Sequence, residues 1–392
     1  MASADLPPER PWTTADVARF FGLSRRTVEA WIQSGQMQQQ GIRPWRLPNG
    51  DWRFDPREVR HAVRVWQTST GGPLADEIRR FSRPGGPRRL AIANNKGGVG
   101  KTTVAVNLAA ALVEELGAQV LVIDADPQGN ATRHFGFGRS PRRRPYRATL
   151  AEIWELPDIP HPRPLADIVV QARERIWLAP ADDRLLVVEH ALIATALQLA
   201  SAPVLPDPEH IKRRIGTFFL TLPQQVWAIS QAMDLDWIIF DLPPVIGPLT
   251  IAGLASASAY LVPVEPEEFA VYGIHVFEDL VDDALGYIGK RIDPLGYLLN
   301  HPKRDATVRR EFASLVREAK GDRVFEVELP ESAAFPEAAA LGQTVFDYVV
   351  EGGGKRAGKV AEVFRALAVE VDRRFAALER AAFPEVEAGG QG

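Results

Sequence analysis

Two lysines and three aspartates are the side chains of this sequence best placed for chemistry, and each sits in a setting that says what the chemistry is. In Lys96-Gly97-Gly98-Val99-Gly100-Lys101-Thr102-Thr103 the glycines free the backbone, so that successive N–H groups point into one concavity, and a helix starting there adds the positive end of its dipole. Such a nest binds an anion. The pattern is that of a phosphate-binding loop, with Lys101 against the β- and γ-phosphates of a nucleotide and the Thr102 hydroxyl on a Mg²⁺ ion. Asp124 and Asp126 lie in Asp124-Ala125-Asp126-Pro127-Gln128-Gly129-Asn130, directly after the apolar Val120-Leu121-Val122-Ile123. Asp241 closes Trp237-Ile238-Ile239-Phe240 ahead of Leu242-Pro243-Pro244. Carboxylates at the C-terminal ends of strands face the ligand crevice of an open α/β sheet, so these three can converge on phosphates and metal, Asp241 reaching Mg²⁺ through water.

These side chains need strands to carry them. Arg89 to Asn94 is a short apolar run suited to a buried strand, and Thr102 to Leu116 reads as an Ala/Leu/Val-rich helix ended by Gly117. Ala259-Tyr260-Leu261-Val262-Pro263-Val264 and Leu295-Gly296-Tyr297-Leu298-Leu299-Asn300 repeat the strand pattern. The expected fold is α/β: a mostly parallel, doubly wound sheet behind the phosphate loop, with helices on both faces.

The loop departs from the usual form, because Asn95 stands where a glycine is common and a second lysine, Lys96, follows it. In this it resembles the deviant Walker A ATPases, the ParA and MinD superfamily. The resemblance implies that Lys96 reaches across an ATP-sandwich homodimer to the partner subunit's phosphates; a cation supplied in trans couples dimerisation to the γ-phosphate. It implies that Asp126 orients or activates the attacking water, that Asp124 holds the hydration shell of Mg²⁺, and that Asn300 lies near the adenine. Glu328-Leu329-Pro330, Phe335, Gly342-Gln343-Thr344-Val345 and Tyr348 also resemble the C-terminal signature of partition ATPases, and the likeness spans about residues 88 to 375.

The 392 residues, 46% of them hydrophobic, suffice for a large core and two domains. There is no cysteine, which excludes disulfides and thiolate metal or iron–sulfur sites, and with them the nitrogenase iron protein branch of the superfamily. No secretory signal or apolar run near 18 residues is visible, so the sequence predicts a cytoplasmic, nucleoid-associated protein. The end, Ala382-Phe383-Pro384-Glu385-Val386-Glu387 with glycines after it, is acidic and broken, unlike the basic membrane helix of MinD-like relatives.

The net charge of −4 hides an asymmetry: residues 1–89 hold fifteen arginines, no lysine and nine acids. Thr13 to Phe21 and Arg25 to Ile32 read as two helices around the turn Gly22-Leu23-Ser24, with Thr13 or Thr14 as cap. Val17, Phe20 and Phe21 would pack on Val28, Trp31 and Ile32, leaving Arg25, Arg26 and Thr27 free to enter a major groove. Trp45-Arg46-Leu47 and Trp52-Arg53-Phe54 flank Pro48-Asn49-Gly50-Asp51, a hairpin signal, and Arg43, Arg46 and Arg53 decorate it, its aromatics read as core. The plan resembles a MerR-like winged helix-turn-helix.

The expected organisation is a winged helix-turn-helix over 1–68, a linker over 69–87, an ATPase domain over 88–383 and a disordered tail over 384–392. Lys290, Arg291, Lys303, Arg304, Arg309 and Arg310 are candidates for non-specific DNA contact on the ATPase body. The basic run Arg139 to Arg147 reads as a mobile loop, and the span from about 147 to 232 as the family's variable helices. Together these imply an ATP- and Mg²⁺-dependent DNA-binding ATPase that segregates DNA or another cargo, stimulated by a ParB-like centromere-binding or adaptor protein, with autorepression of its operon. A metabolic enzyme such as the superfamily's amidoligases is disfavoured by the appended basic region. A transcriptional regulator whose core only senses nucleotide stays open, with Asp126 as the feature against it.

Overall fold

The computed structural model describes residues 11–15, 17, 28–29, 32–33, 43–47, 50–54, 86–137, 146–155, 159, 161–200, 208–286, 288–300 and 306–382. Near the N-terminus, β1 (Trp12–Thr13), β2 (Trp45–Arg46) and β3 (Trp52–Phe54) form a three-stranded antiparallel sheet in the order β1-β3-β2. Of the two expected cap residues, Thr13 is a strand residue opposite Arg53 and directly precedes the helix that begins at Thr14, so it stands at the N-cap position. Val17, Val28, Ile32 and Phe54 are buried, but Trp45 is 41% exposed rather than core, so the outer strand offers an aromatic surface. Gly50 sits at φ 90°, the left-handed backbone that the hairpin turn requires.

The second sheet contains β4 (Arg88–Ile92), β5 (Val120–Asp124), β6 (Val170–Arg173), β7 (Ile176–Ala179), β8 (Trp237–Asp241), β9 (Ala259–Val264) and β10 (Asp293–Leu299). Its seven strands run in the order β10-β9-β4-β8-β5-β7-β6. Every neighbouring pair is parallel except β6 with β7, an antiparallel edge inside the span expected to contain the family's variable helices. Parallel strands are buried on both faces and read as continuous apolar runs whose side chains alternate. Leu90, Ile92, Val120, Val122, Trp237 and Ile239 point to one face, Ala91, Leu121, Ile123, Ile238 and Phe240 to the other. Burying each Leu, Ile or Val side chain contributes about 1.5–3 kcal/mol.

On the first face pack α1 (Lys101–Leu116) and, at the end of the described chain, a long helix, Gly354–Ala382. Between α1 and that helix come α2 (Asn130–His134), α3 (Leu165–Ile168), α4 (Arg184–Ala200), α5 (Pro208–Ala232), α6 (Pro248–Ser256), α7 (Ala270–Gly286), α8 (Ala306–Lys320), α9 (Ala334–Leu341) and α10 (Val345–Val350); the long helix is α11. Helices α3 to α8 cover the second face. Gly117, at φ 63°, ends α1, its N–H donating to the Val113 carbonyl and that of Ala118 to the Leu112 carbonyl.

The strand order fixes the site. With β8 between β4 and β5, Asp241 is the register partner of both Ile92 and Asp124, so the phosphate loop and two of the aspartates leave the same edge side by side. Residues 69–85, 138–145 and 383–392, which hold most of the expected linker, the basic run and the tail, lie outside the described residues. Among the described residues no helix is long and apolar enough to cross a membrane.

Candidate functional site

The loop after β4 is tied down at both ends by asparagines. The Asn94 Nδ2 donates to the Pro263 carbonyl on β9 at 2.7 Å, and its Oδ1 accepts the Lys96 N–H at 2.9 Å. At the far end, the Asn300 Nδ2 donates to the Val99 carbonyl at 2.8 Å. The expected adenine neighbour is therefore seated against the loop itself. Gly100, at φ 91°, could not carry a side chain: a Cβ there would stand 2.6 Å from the Asn300 Nδ2. The first turn of α1 then presents Lys101 and Thr102, and Lys101, only 7% exposed, donates its ammonium to the Lys96 carbonyl at 3.0 Å. Burial lowers the Lys101 pKa, opposed by the charges of Asp241 and Asp126.

The aspartates differ in how they are held. The Asp124 Oδ2 accepts both the N–H and the hydroxyl of Thr132, each at 2.7 Å, which anchors the start of α2. Its Oδ1 faces the Asp126 N–H at 3.3 Å. Asp126 turns its Oδ1 to the Gln128 N–H at 2.9 Å, an Asx turn that leaves its other oxygen outside that bond. Asp241 has neither arrangement: both oxygens are buried and accept no hydrogen bond, the Thr102 hydroxyl facing them without reaching bonding geometry. Burial, then the charge of Asp124, raises the Asp241 pKa well above the carboxylate range, and burial raises Asp124 to about 7. Two buried acids, one of them without a hydrogen bond, make a donor set that a bound cation would stabilise. Among the described residues no three His, Asp or Glu converge as a ready-made metal cage. That donor set fits Mg²⁺, which takes few protein oxygens and keeps phosphate and water ligands.

Lys96 points away from Lys101. Its ammonium lies 3.0 Å from the Glu265 Oε2 and 2.8 Å from the Glu267 Oε2, both on the turn after β9. Burial lowers its pKa, but the hydrogen bonds that its ammonium donates to Glu267 and Glu265 outweigh this and raise it.

An AAA domain family matches residues 87–292. The chromosome partitioning protein ParA of Caulobacter vibrioides is 32% identical over 271 residues, covering 69% of this chain and 90% of that protein. The chain belongs to the ParA/MinD family of P-loop ATPases. Two solved structures share the fold of this family member. The ATP complex of a Cyanothece McdA variant has a TM-score of 0.55 at 22% identity, covering 74% of this chain and 96% of that one. The Pyrococcus horikoshii septum site-determining protein MinD with Mg-ADP has a TM-score of 0.50 at 21% identity, covering 73% and 96%.

Within this ParA/MinD-type body the predicted DNA contacts separate. Arg25, Arg26, Thr27, Lys303 and Arg304 lie outside the described residues, and Arg309 lies in α8 without a described side chain. Arg43, Arg46, Arg291 and Arg310 are exposed. Arg46 donates to the Gly50 carbonyl at 2.9 Å and stacks over Trp52, while Arg53 pairs with Asp51 at 3.7 Å, so both brace the hairpin. Lys290 is a correction. Its ammonium donates to the Ala255 and Ala257 carbonyls, each at 2.5 Å, closing the C-terminal end of α6, and burial holds its pKa well below the usual value. It is occupied in holding a helix end and is withdrawn from the DNA candidates.

Sequence reasoning missed four groups. Asn94 was read only as a strand end, and Thr132 carries no motif. The Asn107 carboxamide links α1 to the segment that begins α10, accepting the Val345 N–H at 2.8 Å. Glu189 on α4 caps the start of α6 at Leu249 and lies close enough to Asp126 to sense its charge; burial, first, raises its pKa. Thr344, part of the C-terminal signature, caps α10 through Asp347, and no sequence signal pointed to the Asn107 link.

Proposed function

We propose that this chain is an ATP-dependent, dimerising, DNA-binding ATPase that segregates or positions DNA or another cargo, hydrolysing ATP slowly until a ParB-like partner stimulates it. The observation that carries the reading is Asp241, a buried carboxylate without a hydrogen-bond donor, beside Lys101 and Thr102 at the mouth of a phosphate loop. The name of the Caulobacter relative, a chromosome partitioning protein, supports the cargo class.

In this mechanism the backbone N–H groups of Gly97 to Thr103 cradle the phosphates, and Lys101 exchanges the Lys96 carbonyl for β- and γ-phosphate oxygens. Thr102, Asp241 and the remaining oxygen of Asp124 would hold Mg²⁺, which when bound neutralises phosphate charge. Asp126 accepts a hydrogen bond from the attacking water and aligns it, and Lys96 of a second copy stabilises the charge that develops on the γ-phosphoryl group. Asn94 and Asn300 keep the loop in shape, Asn300 at the end nearest the base.

The N-terminal region, read as a winged helix-turn-helix over 1–68, would bind an operator and repress the chain's own operon through Arg25, Arg26 and Thr27. Its exposed Arg43 and the arginine-rich composition favour a second reading, a nucleotide-sensing regulator without motor activity. Binding of the full chain to random-sequence duplex DNA with ATP, ADP or no nucleotide, at two salt concentrations, separates them. ATP-dependent, salt-sensitive binding that Lys96→Ala abolishes is the expected result. Binding indifferent to nucleotide leaves only the regulator.

A further inference from the structure

Lys96 is held by more negative charge than it needs. One ammonium faces two carboxylates, so the cluster carries a net negative charge and repels an approaching phosphate. Glu265 and Glu267 are 17% and 29% exposed, and Lys96 is 41% exposed. The turn that carries the acids follows β9, the parallel neighbour of β4, and the Asn94 Nδ2 bond to Pro263 fastens the loop to that strand. The sheet therefore sets the approach of Lys96 to the two acids. The segments after two neighbouring strands thus contribute the opposite halves of the cluster.

We infer that Glu265 and Glu267 are positioning residues that hold Lys96 off the phosphate path in the nucleotide-free chain and so set the ATP concentration at which two copies pair. This rests on Lys96 acting on a second copy's phosphates. The apparent affinity of that step is its intrinsic affinity scaled by the fraction of chains with Lys96 released. Partly exposed ion pairs are individually weak, so the clamp is a shallow one: opening both pairs changes the threshold about two- to tenfold. A shallow clamp suits a switch, since the γ-phosphate of a second copy outcompetes it while no phosphate leaves it shut.

The test is the dimer fraction of the full chain by analytical ultracentrifugation across an ATP and Mg²⁺ titration. Glu265→Gln and Glu267→Gln, alone and together, keep the shape of the side chain and remove the charge. The half-maximal ATP concentration is expected to fall about two- to tenfold in the double variant and part-way in each single one. Glu268→Gln, the adjacent exposed acid, removes the same charge without touching Lys96 and is expected to leave the threshold in place. An unchanged threshold in both single variants and the double one overturns the inference, and so does an equal shift in Glu268→Gln. If Lys96→Ala still abolishes the dimer in that event, the trans role of Lys96 stands and only the clamp falls. If Lys96→Ala dimerises as the unaltered chain does, both fall.

Discussion

The two edges of the seven-stranded sheet handle their polar groups in opposite ways. Where the strands begin, Arg88 is gripped by Asp372 and by Glu379 at 2.8 Å and lies over the Trp237 ring at 5.3 Å. The Asp236 carboxylate beside it accepts the Gln119 N–H at 2.7 Å. A cavity of about 660 Å³ opens there, with Arg88, Asp236, Trp237, Asp372 and Glu379 in its lining. Where the strands end, Asp241 accepts no hydrogen bond, Lys101 leans on the Lys96 carbonyl, and Lys96 is borrowed by two acids. Concavity alone does not make a site. The first edge is a joint whose charged groups pair with one another, the neutral Gln119 Oε1 being its one buried oxygen without a partner among the described residues; the second keeps charged groups in provisional company, and those are the groups a ligand can satisfy.

The contrast can be attacked from both sides. The largest effect belongs to Asp241→Asn, which should lower ATP hydrolysis by at least about a hundredfold while raising stability at neutral pH in the absence of nucleotide by about 1–2 kcal/mol, because a carboxylate whose pKa burial and Asp124 raise no longer has to take up a proton on folding. Steady-state phosphate release and thermal melting read the two halves; a variant that hydrolyses normally, or melts lower, would remove the distinction between the edges. Gly100→Ala comes next. Forcing a Cβ into a left-handed backbone beside Asn300 costs about 1–3 kcal/mol, so ATP affinity by calorimetry should fall about five- to hundredfold. Adding Asn300→Ala relieves the steric part and should recover some of the loss, with full recovery showing that backbone strain plays no part. The smallest effect is on the other edge: Arg88→Ala should lower stability to urea by about 1–2 kcal/mol and leave ATP affinity as it was. A matching loss of ATP affinity would mean that the two edges are coupled.

The local motifs were legible and the long-range pairings were not. Lys101, Asp124, Asp126 and Asp241 announce themselves because each sits next to its own strand in the sequence, and a strand's end is where ligands bind. The strand ends were also close to right, β4 stopping at Ile92 so that Ala93 and Asn94 lead into the loop. What could not be read is who meets whom. Nothing in a pattern tells that Lys96 meets Glu265, 169 residues on, or that Asn300 returns to Val99 across 201. The Lys290 error has the same root: a lysine in a polar stretch reads as solvated, and only the fold shows two helix-end carbonyls waiting for it. The insertion of β8 between β4 and β5, which brings Asp241 to Asp124, likewise belongs to topology rather than to spacing.

Asn107 carries one more consequence, for how the protein is made. Its carboxamide accepts the N–H of Val345, 238 residues downstream, while β4 waits for β8 and β9 on either side. Loop closures of that length are slow, and a chain emerging from the ribosome meets its partners in order. The phosphate loop is translated well ahead of the contacts that seat it, Pro263 following Asn94 by 169 residues and Asn300 following Val99 by 201. A newly made chain therefore carries the loop for a long stretch of synthesis before the segments that hold it in shape have followed.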